Sequence, residues 1–246
     1  MQAAGLTHKG QVRDQNQDSI FVMQDAFGPL PNLFIVADGM GGHNAGEIAS
    51  VNAINFITDY IAEFHAAEFV QADNYLDLLV AAVQYANVKI CKMAEENKEY
   101  HGMGTTLTAC IVTDEKIVIA HVGDSRAYAI TPSAITKLTS DHTYIEHMLQ
   151  TGKLSAEEAL THPKRHVITR VLGMETDIDG LVLPINDTVS ILLCSDGLSN
   201  MMDDTAIKGI AEGVGFVEHR TRFLVEEANS RGGHDNISAI LIDVNR

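Results

Sequence analysis

Asp38 follows the apolar run LFIVA, Asp196 follows VSILLCS and Asp124 follows KIVIAHVG, and each stands beside a glycine as D-G or G-D. Asp235, in GGHDN, comes just before an apolar run, and Asp18, in RDQNQD, does the same. Carboxylates repeated at the ends of strand-like runs can gather at one edge of a sheet, where they repel one another unless cations lie between them. Oxygen ligands without paired cysteines or an H-E-x-x-H pattern suit hard octahedral ions, Mg²⁺ or Mn²⁺, rather than zinc. A glycine beside such a ligand lets the backbone approach and offers its own carbonyl. Two ions about 3.5 to 4 Å apart clamp the attacking and leaving oxygens of an in-line displacement at phosphorus, so the chemistry indicated is phosphoester hydrolysis. One D-G alone is a common turn; the inference rests on their number.

Strands must carry these residues. Alternating or apolar runs at 18–23, 32–37, 106–112, 116–122, 126–130, 134–138, 189–194 and 237–244 read as strands. Links of a few residues (TDE, GDS, TPS) join the runs from 106 to 138, too short for parallel crossovers, which predicts an antiparallel meander there. Apolar residues recur every three or four positions over 44–69 and 75–96, and a second helical zone covers 203–231 with a break at Gly213 to Gly215. Strands, helices and strands again make an α+β layered domain. Residues 141–170 are more polar, with short helices expected at 143–150 and 155–160, and read as a surface excursion of the kind that lines a site. With no repeat or linker, 1–246 is expected to be one domain.

The chain has 246 residues, 46% of them hydrophobic, and 33 acidic against 17 basic side chains give a formal charge of -16. That balance argues against a nucleic-acid or anionic-membrane surface. No segment has the length of a membrane span or the apolar core of a signal peptide. Cys91, Cys110 and Cys194 are odd in number and widely spaced, so neither a disulfide framework nor a zinc site is suggested and a reducing cytoplasm fits.

The stations RDQNQD (13–18), VADGMGGHNAGEIAS (36–50), GMGTT (102–106), HVGDSRAY (121–128), HPKRHVITRVLG (162–173), LLCSDGLSNMM (192–202) and GGHDNIS (232–238) together resemble the metal-dependent protein phosphatases of type 2C, and especially their compact bacterial members. The resemblance covers essentially the whole chain. It implies a central sandwich of two antiparallel sheets flanked by pairs of helices, a four-layer αββα arrangement with a flap at about 141–170. It further implies that Asp38 bridges two metal ions, that Asp196 and Asp235 complete the first site, and that the Gly39 carbonyl and Asp18 serve the second. Asp124, sharing Asp196, resembles the ligand of a third, weaker ion. Arg13 is expected to hold the substrate phosphate, for which a guanidinium fork is suited. A metal-bridging water would be the nucleophile, leaving Cys194 and Ser195 as strand residues. The expected reaction is dephosphorylation of phosphoserine and phosphothreonine in proteins, reversing a bacterial serine/threonine kinase, by a cytoplasmic monomer. A silent phosphoprotein-binding regulator of the same fold, or a phosphatase of small phosphoesters, are the other readings.

Two positions depart from the family pattern. Gln17 stands where many relatives carry Glu, and Met40 where eukaryotic members place a histidine acid, as it commonly does in bacterial relatives. Among the histidines, His43 reads as a brace for the glycine-rich turn. His162 and His166 read as solvated neighbours of Lys164, Arg165 and Arg170, and His234 either as a group orienting Asp235 or as a plain loop residue. Thr105 and Thr106 read as sheet residues near the site. The glycines of VADGMGG suggest a phosphate cradle, but the G-K-[ST] ending of a P-loop is missing.

Overall fold

The computed structural model describes residues 1–42, 45–63 and 75–244. Strands β1 (Gln2–His8), β2 (Asp18–Met23) and β3 (Leu33–Met40) precede helices α1 (Ala45–Glu63) and α2 (Tyr75–Glu96). Then come β4 (Gly104–Thr105), β5 (Leu107–Val112), β6 (Lys116–Val122), β7 (Arg126–Ile130) and β8 (Ile135–Lys137), with α3 (Tyr144–Gln150) and α4 (Ala156–Thr161) after them. The chain continues through β9 (Asp179–Pro184), β10 (Ser190–Cys194), α5 (Asp196–Ser199), α6 (Asp204–Ala211), α7 (Val217–Ser230) and β11 (Ile237–Asp243). Two sheets form, in the orders β1-β11-β10-β7-β8 and β2-β3-β5-β6-β9, with β4 paired to β3. Every neighbouring pair is antiparallel.

Alternation along each strand sends side chains to both faces, and each face meets a different layer. Phe34, Val36, Cys110, Ile119, Leu193 and Ile240 fill the space between the sheets. Leu33, Ile35 and Ala37, one residue out of phase with Phe34 and Val36, face α1 and α2 instead. Ala45, Ala49, Ala53 and Ile57 on α1 and Ala82, Val83, Ala86 and Ile90 on α2 supply the helical side of that layer, where small alanines permit close approach. On the far side Leu192, Cys194, Ala239 and Leu241 pack against α6 and α7 through Ile207, Ala211, Leu224 and Ala228. The result is the expected α+β sandwich with helices on both outer faces.

Several local expectations change. The run 106–138 is not one meander. β5 and β6 belong to one sheet and β7 and β8 to the other, and the chain changes sheet at 123–125. Gly123 makes that corner with a φ of +109°, and a Cβ there would fall 2.5 Å from Thr106 Cβ. The short link signalled antiparallel hairpins correctly, but could not tell a hairpin from a corner. β1 and β9 were not foreseen; both are edge strands, which bury less and carry weaker apolar alternation. Ser195 is not a strand residue but precedes α5 as its N-cap position, with Cys194 closing β10. The proposed continuation of the first helix to 69, and His43, lie outside the described residues.

The flap segment 141–170 is capped as its sequence implies: Thr143 accepts from the Glu146 N–H at the start of α3, and Ser155 with Glu158 forms a capping box on α4. Its two ends are joined by the Thr143–Ile168 bridge and by the Tyr144 N–H donating to the Val167 carbonyl at 2.8 Å. Elsewhere the sandwich is locked by a buried ion pair between Arg220 of α7 and Asp243 of β11, with the Ser190 hydroxyl donating to the same carboxylate at 2.8 Å. Removing one partner of such a pair strands the other charge in the interior. Asp243→Ala is therefore expected to destabilise the protein by about 3–5 kcal/mol, read as a lowered midpoint in urea unfolding.

Candidate metal centre

The β2–β3 register sets Asp18 directly opposite Asp38. Like charges facing each other across a strand pair oppose the pairing, so the position of both must be fixed by other contacts. Asp38 is pinned through its backbone: its N–H donates to Thr106 Oγ1 at 3.0 Å, and its carbonyl accepts from the Thr106 N–H at 2.9 Å and Thr105 Oγ1 at 3.0 Å. Thr105 and Thr106 are thus beside the site, holding it in place. Gly39 follows with no room for a side chain, since a Cβ would fall 2.1 Å from the Gly46 carbonyl oxygen and 2.5 Å from that of Gln17. This contact presses the start of α1 onto the end of β3. The Gln17 carbonyl also accepts from the Gly39 N–H at 3.1 Å and from Ser50 Oγ at 2.6 Å.

Asp18 Oδ2 accepts from Ser195 Oγ at 2.8 Å and Ser238 Oγ at 2.7 Å, two buried hydroxyls from the opposite sheet's end. Asn236 ties the surrounding loops: its Oδ1 accepts from the Gln17 N–H at 2.8 Å, and its Nδ2 donates to the carbonyls of Lys9 and Gln15 at 2.9 and 2.8 Å. Asp196 opens α5, where Asn200 Nδ2 donates to Oδ2 at 3.1 Å. Asp235 receives the Asn236 N–H at 2.8 Å and Arg13 Nη2 at 2.7 Å. Ser238, Asn236 and Asn200 were not singled out in advance, and Ser195 was read only as a strand residue. Each is a neutral donor beside an aspartate, and only the tertiary meeting of distant loops gives it a role.

Asp38, Gly39, Asp124, Asp196 and Asp235 meet around a cavity of about 440 Å³ that Arg13, Gln17 and Met40 also line. Asp18 lies behind it. A second cavity of about 660 Å³, under the flap, shares Asp124, Asp196, Asp235 and His166 with the first and adds Arg165 and His234. His166, read as a solvated group, therefore lines the wall of both. His162 stacks on Tyr144 with ring centroids 5.7 Å apart, and Arg170 turns away to Asp179. His234 is exposed and does not orient Asp235, which Arg13 and Asn236 hold.

Apart from Asp235, which pairs with Arg13, these carboxylates have no ion-pair partner among the described residues. Among the described residues Asp18 Oδ1, Asp124 Oδ1 and Asp196 Oδ1 are buried without a hydrogen-bond donor. Burial pushes Asp18 from 3.8 to about 7, with Asp196 and Asp235 adding to the rise and the Ser238 and Ser195 hydroxyls opposing it. Asp38 is raised well above its ordinary value by burial and then by Asp18, Asp196, Asp124 and Asp235. Asp124 rises to about 7 through burial, Asp196 and Asp141, and Asp196 rises through burial and Asp235. The described residues hold no cluster of three or more His, Cys, Asp or Glu that closes around a point as a one-ion cage. The carboxylates are spread instead around the cavity. That arrangement, with orphaned hard oxygens, fits ions such as Mg²⁺ that bind few carboxylates and keep several waters.

Comparison with known proteins agrees with this picture. Residues 7–241 match the family model for Protein phosphatase 2C. The chain is 36% identical to the serine/threonine phosphatase stp of Listeria welshimeri over 247 aligned positions, covering 100% of this chain and 96% of the relative. The crystal structure of serine/threonine phosphatase Stp1 from Staphylococcus aureus superposes with a TM-score of 0.87 at 35% identity, over 99% of this chain and 95% of that one. The catalytic domain of the serine threonine protein phosphatase PstP, in complex with 2 manganese ions, gives a TM-score of 0.83 at 31% identity, over 100% and 98% of the two chains.

A carboxylate whose pKa is raised on folding contributes stability that is whole below its unfolded value and lost as pH rises through its folded value. For Asp124 that window runs from 3.8 to about 7. In EDTA, Asp124→Asn is expected to raise the thermal midpoint at pH 8, by no more than about 4 kcal/mol of stability, and to leave it nearly unchanged at pH 4. A fall at pH 8 would contradict the cost of burying Asp124 as a charge beside Asp196 and Asp141.

Proposed function

The chain belongs to the protein phosphatase 2C family and is a serine/threonine phosphatase; from that premise we propose that Asp18, Asp38, Asp124, Asp196, Asp235 and the Gly39 carbonyl are its metal ligands and Arg13 its phosphate grip. The observation that carries the assignment is the set of buried carboxylate oxygens without donors around one cavity. Asp38, repelled by four other aspartates, would be the central ligand for a pair of Mg²⁺ or Mn²⁺ ions, and Asp124 with Asp196 would serve a third, weaker one. A pair of divalent cations, when bound, supplies an acidified water as nucleophile and neutralises the charge of the phosphate.

The remaining work falls to the chain. Asp38 is held at its backbone by Thr105 and Thr106, so its carboxylate can be presented without reorganisation. Arg13 is exposed and reaches the cavity by its ion pair with Asp235, which leaves the rest of its guanidinium fork for phosphate oxygens. Met40 has no ionisable proton to give, which leaves protonation of the leaving oxygen to water, whether bound in the site or from solvent. We place the phosphatase in the cytoplasm as a monomeric single domain over 1–246, acting against a bacterial serine/threonine kinase. Free, buried Cys110 and Cys194 accord with a reducing compartment, and no helix of the described residues is long and apolar enough to cross a membrane.

Hydrolysis of an aryl phosphate and of a phosphothreonine peptide in Mn²⁺ is expected, with loss of activity in EDTA and in Asp38→Ala. Unchanged turnover in either case would sink the proposed site, and no turnover of either substrate in saturating Mn²⁺ would favour a silent binding protein. Arg13→Ala removes a charge-assisted contact and is expected to lower kcat/KM by about 10- to 100-fold, chiefly through KM.

A further inference from the structure

Asp124 sits on the 123–125 corner, which crosses between the sheets and is therefore outside any strand ladder. The corner's last residue is held by Thr106 Oγ1 on Ser125 Oγ at 2.7 Å and Thr108 Oγ1 on the Ser125 carbonyl at 3.1 Å, and its first residue is held by His142. The His142 N–H donates to the Gly123 carbonyl at 2.7 Å, and the Gly123 N–H donates back to His142 Nδ1 at 3.0 Å. The Gly123 N–H makes Nδ1 the acceptor and leaves the ring proton on Nε2, which reaches Asp179 Oδ2 at 3.0 Å; Arg170 Nη1 also lies 3.0 Å from Nε2, so the Asp179–Arg170 pair together faces that edge of the ring. Asp179 belongs to β9 and pairs there with His121 of β6, so the imidazole is oriented from the body of the sandwich. Arg170 Nη2 donates to Asp179 Oδ1 at 2.7 Å.

The same histidine stands at the root of the flap. Its carbonyl accepts from the Thr169 N–H at 2.8 Å and Thr169 Oγ1 at 3.0 Å, joining the first residues of the flap to the last. Only 7% of the His142 side chain is exposed, and its ring lies against that of buried His121 at 4.9 Å between centroids. One imidazole thus touches the corner before Asp124, the sandwich at Asp179 and, through its own backbone, both ends of the flap. Both ring nitrogens and both backbone polar groups of His142 are committed in these three directions.

We propose that His142, oriented by Asp179, is a positioning residue that fixes the corner presenting Asp124 to a divalent cation and ties that corner to the root of the flap. The inference rests on the reading of Asp124 as a metal ligand. Groups that orient a ligand from behind typically change metal affinity by about 10- to 100-fold when removed. Here the effect should be confined to the ion that Asp124 serves.

Calorimetric titration of the metal-free protein with Mn²⁺, compared across Asp124→Ala, His142→Ala, Asp179→Asn, Asp179→Glu and the Asp124→Ala/His142→Ala pair, separates the possibilities. Asp124→Ala is expected to weaken or abolish the weakest class of sites and to leave the tighter ones alone. His142→Ala and Asp179→Asn should weaken the same class by about 10-fold or more, Asp179→Glu should recover part of it, and the double variant should bind no worse than Asp124→Ala. Asp179 is 40% exposed at its side chain, so its variants keep the test open if His142→Ala fails to fold. Loss in Asp124→Ala with unaltered isotherms in both Asp179→Asn and His142→Ala would overturn the positioning role, even if their thermal midpoints fall. Unaltered binding in Asp124→Ala itself would overturn the proposal at its premise, the ligand role of Asp124.

Discussion

Mutual repulsion among buried aspartates is the constraint on which the rest of this structure turns. Asp18 and Asp38 face each other across β2 and β3, and Asp124, Asp196 and Asp235 come to the same cavity from other elements. In a medium of low dielectric such a group cannot carry its full charge without counter-ions. The sandwich must therefore pay for the arrangement elsewhere, and it does so with two kinds of support. Three apolar layers bind sheet to sheet and helix to sheet, while neutral donors fix Asp18 and the Asp38 backbone without cancelling their charge. Ser195 and Ser238 hold Asp18, and Thr105 and Thr106 hold the Asp38 backbone.

That choice of donors bears on function. A lysine or arginine against each carboxylate would satisfy it and leave nothing for a cation to bind. Among the described residues around the cavity, arginine is used in that way only at Asp235, by Arg13 at the exposed rim. Farther from the cavity, Arg126 chelates Asp141 and Arg170 chelates Asp179, so full charge compensation is available to this chain and is withheld at the centre. The close approach of Gly39 to the Gly46 and Gln17 carbonyls serves the same end, since it packs main chain, with its weak carbonyl ligands, beside the carboxylates.

Much of this was legible because it is local. An aspartate after LFIVA or VSILLC marks the end of a strand by its own neighbours, and the alanine-rich stripes of α1 and α2 declare their buried faces by spacing. Asp18 and Asp235 were legible for the same reason at strand starts. What could not be read was set by tertiary meeting. The corner at Gly123 looks like a hairpin turn in sequence, because nothing in GDS reports that β7 will pair with β10 instead of β6. Asn236 and Ser238 read as loop and strand residues, although they clamp loops more than two hundred positions away. β1 and β9 escaped notice since an edge strand needs little apolar surface, and His166 since its cavity exists only once the flap is folded.

If the carboxylates around the cavity hold part of their charge as protons near neutral pH, divalent cations that bind there must displace those protons. Calorimetry of Mn²⁺ binding at pH 6.5, repeated in buffers of different ionisation enthalpy, measures the protons exchanged. Release of about one proton or more per protein is expected, because cations displace protons from carboxylates such as Asp18 and Asp124. Binding with no proton release, or no binding, would contradict the account.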